Sequence, residues 1–598
     1  MTDMMNQIEK VPSQGHEASN ISPSRAEGVD PSVTEHTCDV LVIGSGAGGL
    51  STAVAAAHRG LDVLVVEKEP VFGGTTARSG GWMWIPNNAP AKRAGVDDSV
   101  EKARTYLIHE TGEHFDAARI DAFLEAGPRA VEFFEQNTTL KFDLGPFFAD
   151  YHPDAPGGMP GGRSIIAQPF DGRELGDEIK RLRPPLKEIT FLGMMIGSGK
   201  ELLHFFNVTR SPVSAFYVGK LFTKFLRDMA FHGRPMRLMN GNALVGRLAK
   251  SCFDRNVPIW TRSPVLNLVK DDTGRITGAV LDTLKGRVRV TARKGVVLAA
   301  GGFPQDIVRR KKLFPHAPSG NEHASPAPPG NTGDGLRLAE AVGATVDETL
   351  PHAAAWVPIS RPVWPDGTLG TFPHFVDRSK PGIIGVTRSG RRFVNEANSY
   401  HDFCQAMYRR CTDEGTEVCA FFIADHRTFR KYGLGFAKPA PVPFGQHLKS
   451  GYLFQGTTLA ELARQIGVNP VQLERTVEEY NIHARKGEDP EFHKGSTAYN
   501  RSLGDPEQKP NPCVAPVEQG PYYAIKLVIG DLGTFAGLRC DEYARVLDEN
   551  GSPIPGLYAA GNDAASIMGG NYPGGGITLG PAITFGYIAA RHIAGANA

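Results

Sequence analysis

The chain has 598 residues, enough for two cores rather than one, with 41% hydrophobic residues and charges balanced to a net +1. That balance excludes the electrostatic footprint of a nucleic-acid binder. Seven scattered cysteines (38, 252, 404, 411, 419, 513, 540) form no CxxC, CxxCH or ferredoxin spacing, so reduced structural thiols are expected, without haem or iron–sulfur ligation.

The segment from Met1 to Asp30 is polar and lacks an apolar core, which predicts a disordered leader over residues 1–35 and a cytoplasmic protein. No run is long or apolar enough to span a bilayer. Order is expected from Cys38 to Ile43, a β-branched strand. Gly44-Ser45-Gly46-Ala47-Gly48-Gly49 follows, then an Ala-rich helix over Leu50–Arg59 and a second strand, Leu61–Val66, ending at Glu67. Strand, G-x-G-x-x-G, helix, strand and an acid about 20 residues on together predict a Rossmann-like dinucleotide unit. Its glycines admit a pyrophosphate to the helix N-terminus, and Glu67 is placed to accept hydrogen bonds from a ribose. The 69 glycines exceed average usage and sit in motifs, not low-complexity repeats, which points to a large nucleotide cofactor. Near the C-terminus, Gly556–Ala560 reads as a buried strand, residues 561–581 as a glycine-rich loop, and Ala582–Ile593 as an apolar helix. So much bare backbone is needed only where something flat or charged must come close. Tyr572 lies in its middle.

A second glycine-rich segment, Val71-Phe72-Gly73-Gly74-Thr75-Thr76-Ala77-Arg78-Ser79-Gly80-Gly81, follows the first unit directly. With it the chain resembles the flavoprotein family of fumarate reductases, succinate dehydrogenase flavoprotein subunits and 3-ketosteroid dehydrogenases. Gly295–Phe303, the Thr332-Gly333-Asp334-Gly335 turn, Arg392-Phe393-Val394-Asn395-Glu396 and Gly556–Gly561 carry the same resemblance, over about residues 37–595. It implies FAD held by Gly44, Gly46, Ala47, Gly48, Gly49, Glu67, Lys68, Gly74, Thr75, Thr76, Ser79, Gly80, Gly81, Val265, Ala300, Gly301, Asp334, Gly561, Asn562, Gly576, Thr578 and Leu579. Gly74 stands where members with covalent flavin carry histidine, so non-covalent FAD is expected.

The implied fold is α/β, α+β in the cap. A discontinuous FAD-binding domain (36–343 and 523–598) would hold an inserted catalytic or cap domain (344–522), with Pro-rich loops at 434–444 and 505–516. The main departure from the family is a helical insert at 178–235. Within it, a helix over Ser214–His232 gathers Phe216, Val218, Leu221, Phe222, Phe225 and Met229 on one stripe, with Lys220, Lys224 and Arg227 elsewhere. Such a stripe packs on the protein's own core or lies on a membrane surface, and periodicity alone leaves both open.

Substrate class is read from a few positions. Fumarate reductases use a His-Thr-x-Gly-Gly segment and an arginine in the C-terminal glycine loop; here Gly533-Thr534-Phe535-Ala536-Gly537 lacks the histidine and Tyr572 replaces the arginine. Each loss removes a donor that a dicarboxylate requires. The loop Asn571-Tyr572-Pro573-Gly574-Gly575-Gly576 instead resembles that of 3-ketosteroid Δ1-dehydrogenases. That resemblance implies that the Tyr572 hydroxyl and the Gly576 N–H bind a ketone oxygen. Tyr400, soon after the Arg392–Glu396 motif, would remove the C2 proton, assisted by Tyr151 of Asp150-Tyr151-His152-Pro153, while C1 delivers hydride to flavin N5. Electrons would then pass to an external acceptor such as a quinone. A reductase of the fumarate or ene type and a non-catalytic flavoprotein are the rival readings. Trp82 and Trp84 either line the pocket or pack the cap. His152, His232 and His401 lack metal-ligand spacing, and Arg391 and Arg392 are assigned to the domain junction.

Overall fold

A computed structural model describes residues 34–197 and 211–595, together with residues 201, 204, 205, 207 and 208. The expected leader lies outside them up to residue 33, as does part of the 178–235 insert. Strand Thr34–Ile43 is fully buried from Val40 to Val42, because parallel neighbours flank it. On one side lies Val63–Val66, followed by Ile259–Trp260; on the other lies Gly286–Leu298, then Pro553–Ala559, all parallel. An antiparallel strand, Arg545–Leu547, borders the far edge, and Ile276–Thr283 with Val265–Lys270 extends from Gly286–Leu298. Register pairs Ile43 with Val66 and with Leu298, and Leu298 with Ala559. Four strands therefore end level, and a ligand crevice belongs at such a carboxyl edge.

The helix Ala47–His58 starts earlier than expected, immediately after the first glycines. It packs on the C-terminal helix Leu579–Ile593, where a Cβ on Gly586 would lie 2.2 Å from the Ser51 hydroxyl. Glycine there permits the close crossing.

A second, wholly antiparallel sheet runs Phe372–Pro373, Ala354–Ser360, Tyr522–Thr534, Ala420–Ala424, Ile383–Val386, with Phe454–Gly456 also on Tyr522–Thr534. Residues from 523, expected to open the returning part of the cofactor domain, thus lie in a strand of this second sheet. The Pro-rich stretches at 434–444 and 505–516 are turns and irregular chain.

The helix in the insert spans Pro212–His232, started by Ser211, whose side chain caps Ser214 N–H. Of the predicted stripe only Phe225 is buried; Val218, Leu221 and Phe222 are half-buried, and Phe216 is 76% exposed. Among the described residues no helix is long and apolar enough to cross a membrane. All seven cysteines are buried free thiols.

Candidate active site

A cleft of about 310 Å³ opens at the level strand ends. Of the predicted cofactor residues it is lined by Gly44, Gly46, Ala47, Gly48, Glu67, Lys68, Gly74, Thr75, Thr76, Ser79, Val265, Ala300, Gly301, Asp334, Gly561, Asn562, Thr578 and Leu579. The other four are placed behind or beside it. A Cβ on Gly49 would lie 2.0 Å from the Gly44 carbonyl, one on Gly81 2.4 Å from Asn240, and one on Gly576 2.4 Å from the Trp82 carbonyl. Gly80 lies beside Trp82. These glycines permit close backbone packing around the cleft.

The cleft suits a dinucleotide on its own terms. No side chain caps the Ala47–His58 helix at Gly46 and its first turn holds no acid, so the N-terminal amides after Ala47 are open to an anion. Thr76 Oγ1 fixes the turn by accepting from Ala47 N–H at 3.0 Å. Glu67 is held by the Ser45 hydroxyl and the Glu69 N–H; burial raises its pKa, and those two bonds pull against the rise. Arg183, unforeseen from the sequence, also lines the cleft, and its buried Nε has no hydrogen-bond partner within the protein. Lys68 pairs with Asp334 across it.

Asp563 is a second residue the motifs did not reveal. Fully buried, its carboxylate accepts from Ala300 N–H at 2.6 Å and Gly302 N–H at 2.9 Å, pinning the wall after strand Gly286–Leu298. Burial pushes its pKa up to about 6 despite those bonds.

Beyond the cleft, three tyrosines from distant segments converge. The Tyr151 hydroxyl donates to the Tyr400 hydroxyl at 2.9 Å, and the ring centroids of Tyr151 and Tyr572 lie 5.4 Å apart, stacked. Tyr400 meets the Tyr572 ring edge-on at 4.9 Å. Each is no more than 5% exposed. Burial raises the pKa of all three, Tyr572 to about 12, and the hydrogen bond from Tyr400 and the Gly576 N–H draw Tyr572 back toward its ordinary value. The Gly576 N–H is thus directed at the Tyr572 oxygen. Gly576 has φ +103°, a conformation that with the Trp82 contact only glycine accepts.

Tyr400 begins helix Tyr400–Asp413, capped by Ser399. The preceding motif is anchored by Arg392, which makes paired bonds to Glu396 and to Asp489, with Lys494 Nζ 3.3 Å from Glu396. Asp150 fixes Tyr151 by bonding the Trp84 indole and the Arg163 guanidinium, each at 2.8 Å. Trp84 is therefore a core side chain, while Trp82 packs on Phe148 at 4.6 Å. Tyr499, also unforeseen, lies 4.5 Å from the Tyr151 ring. Loop 569–579 joins cluster and cleft, carrying Tyr572 in one and Thr578 and Leu579 in the other.

Residues 39–579 match the FAD binding domain family. The chain is 44% identical over 557 residues to a 4-oxocyclohex-2-ene-1-carboxylate 5-dehydrogenase of Sinomonas cyclohexanicum, covering 93% of this chain and 94% of that one. It is 40% identical to a 3-oxosteroid 1-dehydrogenase of Mycobacterium tuberculosis, covering 94% and 99%. Among solved structures, a 3-ketosteroid Δ1-dehydrogenase from Sterolibacterium denitrificans in complex with 1,4-androstadiene-3,17-dione superposes with a TM-score of 0.86 at 38% identity, covering 94% and 99%. The chain belongs to the FAD binding domain family and is an FAD-dependent dehydrogenase.

Proposed function

We propose that the protein desaturates a cyclic ketone between the carbons α and β to its carbonyl, with a 3-ketosteroid as substrate. The observation that carries this reading is the convergence of Tyr151, Tyr400, Tyr572 and Gly576 beside the cofactor cleft. The Tyr572 hydroxyl and Gly576 N–H bind the ketone oxygen, two neutral donors that polarise it without burying a charge. Polarisation acidifies the adjacent C2–H, and Tyr400 takes that proton. Tyr151, donating to the Tyr400 oxygen, stabilises the phenolate form that does so. FAD, bound non-covalently through the cleft residues, supplies the acceptor for the hydride leaving C1. Burial of the cluster keeps water from the carbanionic carbon.

Aromatic side chains surround the tyrosines: Phe375 lies 5.5 Å from Tyr400 and Phe535 6.3 Å from Tyr572. That surface favours an apolar ring system. A second reading, a monocyclic 4-oxocyclohexane or cyclohexene carboxylate, is favoured by the 44% identity to the Sinomonas enzyme. Anaerobic flavin bleaching tests both. Reduction by androst-4-ene-3,17-dione supports the steroid reading, reduction by 4-oxocyclohexanecarboxylate alone supports the second, and reduction by succinate alone overturns both.

Electrons then leave to an external acceptor, for which a membrane quinone fits a peripheral contact through helix Pro212–His232. Val213, Phe216, Leu226 and Phe231 are exposed there beside Lys220, Lys224 and Arg227, an arrangement suited to an anionic lipid surface.

A further inference from the structure

We propose that His152, clamped between Glu110 and Asp402, is a positioning residue that sets the three tyrosine-bearing segments in register for proton removal. The inference rests on Tyr400 being the base. His152 Nδ1 lies 2.7 Å from Glu110 Oε2 and Nε2 lies 2.9 Å from Asp402 Oδ2. Carboxylates only accept, and a neutral imidazole has one N–H to give, so both contacts together require the imidazolium. Burial pulls the His152 pKa down, but the hydrogen bonds and charges of Asp402 and Glu110 outweigh it and lift the value to about 10. The cation also separates two carboxylates that would otherwise repel, one of them, Glu110, only 4% exposed.

The clamp's members are neighbours of the tyrosines. His152 follows Tyr151, and Asp402 lies on the first turn of the helix that Tyr400 begins. Glu110 reaches the third segment through its backbone: its carbonyl accepts from the Asn571 side chain at 2.6 Å, next to Tyr572. One turn earlier on helix Val100–Thr111, Tyr106 donates to the Pro573 carbonyl at 2.7 Å and accepts from His152 N–H at 3.2 Å. Tyr151 N–H also donates to Pro573, at 2.8 Å. Segments 150–152, 399–402 and 571–573 thus meet on one helix end. Titratable groups nearby include His109, 3.2 Å from Glu110, and the buried His401, whose pKa burial lowers to about 3. Neither replaces the cation at the centre.

A hydrogen bond displaced by an ångström at the reacting atoms costs on the order of 100-fold in rate. His152→Gln should therefore lower kcat about 10- to 100-fold, leaving KM for androst-4-ene-3,17-dione and flavin affinity within about 3-fold. The deciding experiment is a double-mutant cycle with Tyr151→Phe, read with an artificial electron acceptor and with the ketone deuterated at C2. If His152 acts through the Tyr151–Tyr400 contact, adding His152→Gln to Tyr151→Phe changes kcat less than about 3-fold, and the single variant shows a larger isotope effect. Multiplying effects, or an unchanged kcat in His152→Gln, would overturn the proposal. Should that variant lose its flavin, Asp402→Asn, which keeps the Glu110 half of the clamp, replaces it in the same cycle, where a non-multiplying effect supports the clamp and a multiplying one overturns it. Tyr400→Phe run in parallel separates the layers: if it retains turnover, the assignment of the base fails; if it is inactive and the cycle is multiplicative, only the clamp fails.

Discussion

The hydroxyls of Tyr151 and Tyr400 lie 2.9 Å apart although 249 positions separate them in the chain. Each sits on a differently anchored segment, Tyr151 behind the Asp150–Arg163 pair and Tyr400 at a capped helix start. A contact held from both sides is preorganised, and preorganisation is what a weakly acidic phenol needs to act as a base.

Tyr400→Phe should lower kcat by about 100- to 10,000-fold, the usual worth of a positioned base, with FAD still bound. Tyr151→Phe should cost less, about 10- to 100-fold, because it removes only the supporting hydrogen bond. Steady-state kinetics with phenazine methosulfate as acceptor measures both. A Tyr400→Phe enzyme with near-normal turnover would remove Tyr400 from the mechanism.

Tyr572→Phe should reduce kcat about 100- to 1,000-fold, as loss of one oxyanion donor does. Substrate-induced quenching of bound flavin should persist, since the ring and its stack on Tyr151 remain. A change confined to KM would show that Tyr572 only binds the ketone.

The pH profile follows from burial. With the Tyr400 pKa raised above the ordinary phenol value, the active phenolate fraction grows as pH rises. kcat/KM should climb through neutral pH toward pH ~10, at up to about tenfold per unit. A plateau beginning below pH 7 would contradict a tyrosine base.

Glu67→Ala should weaken FAD binding about 10- to 100-fold, the worth of hydrogen bonds to a charged acceptor. Titrating apoprotein with FAD and following flavin fluorescence reads this directly. Unchanged affinity would place the ribose away from Glu67.

Glu396→Gln should destabilise the fold by about 3–5 kcal/mol, because Arg392 and Lys494 would keep buried charge with one carboxylate fewer. Burial acts to raise the Glu396 pKa, but Arg392 and Lys494 outweigh it and hold the value near about 2 against 4.5. Stability from this group is thus present above pH ~4.5 and is lost as pH falls toward about 2. Urea denaturation at pH 7 and pH 4 should show the variant closing on the wild type at the lower pH.

The cofactor half was the more legible in sequence, and the reason is locality. Gly44 to Glu67 is one continuous unit whose turn, helix start and acid carry their roles wherever the unit occurs. The tyrosines were legible only through resemblance, since no spacing brings residues 151, 400 and 572 together. Asp563, Tyr499 and the Glu110–His152–Asp402 clamp escaped both routes. His152 lies 42 positions from one partner and 250 from the other, and as a lone histidine it carried no metal-ligand pattern. The boundary at residue 523 was placed by resemblance alone, and nothing local showed that Tyr522–Thr534 is a strand of the second sheet. In helix Pro212–His232 the stripe was real as a pattern, yet only Phe225 is buried.

Strand Pro553–Ala559 completes the sheet beside Gly286–Leu298, and helix Leu579–Ile593 then covers the helix at the first glycine turn. Synthesis runs at about 5–20 residues per second, so the first glycine turn waits tens of seconds for its opposite wall. The cleft therefore lacks one wall until residues 553–579 have been made. Chains stopped before residue 553 lack Gly561, Asn562, Thr578 and Leu579 and should emerge colourless, which makes the yellow of the flavin a marker of translation past residue 579.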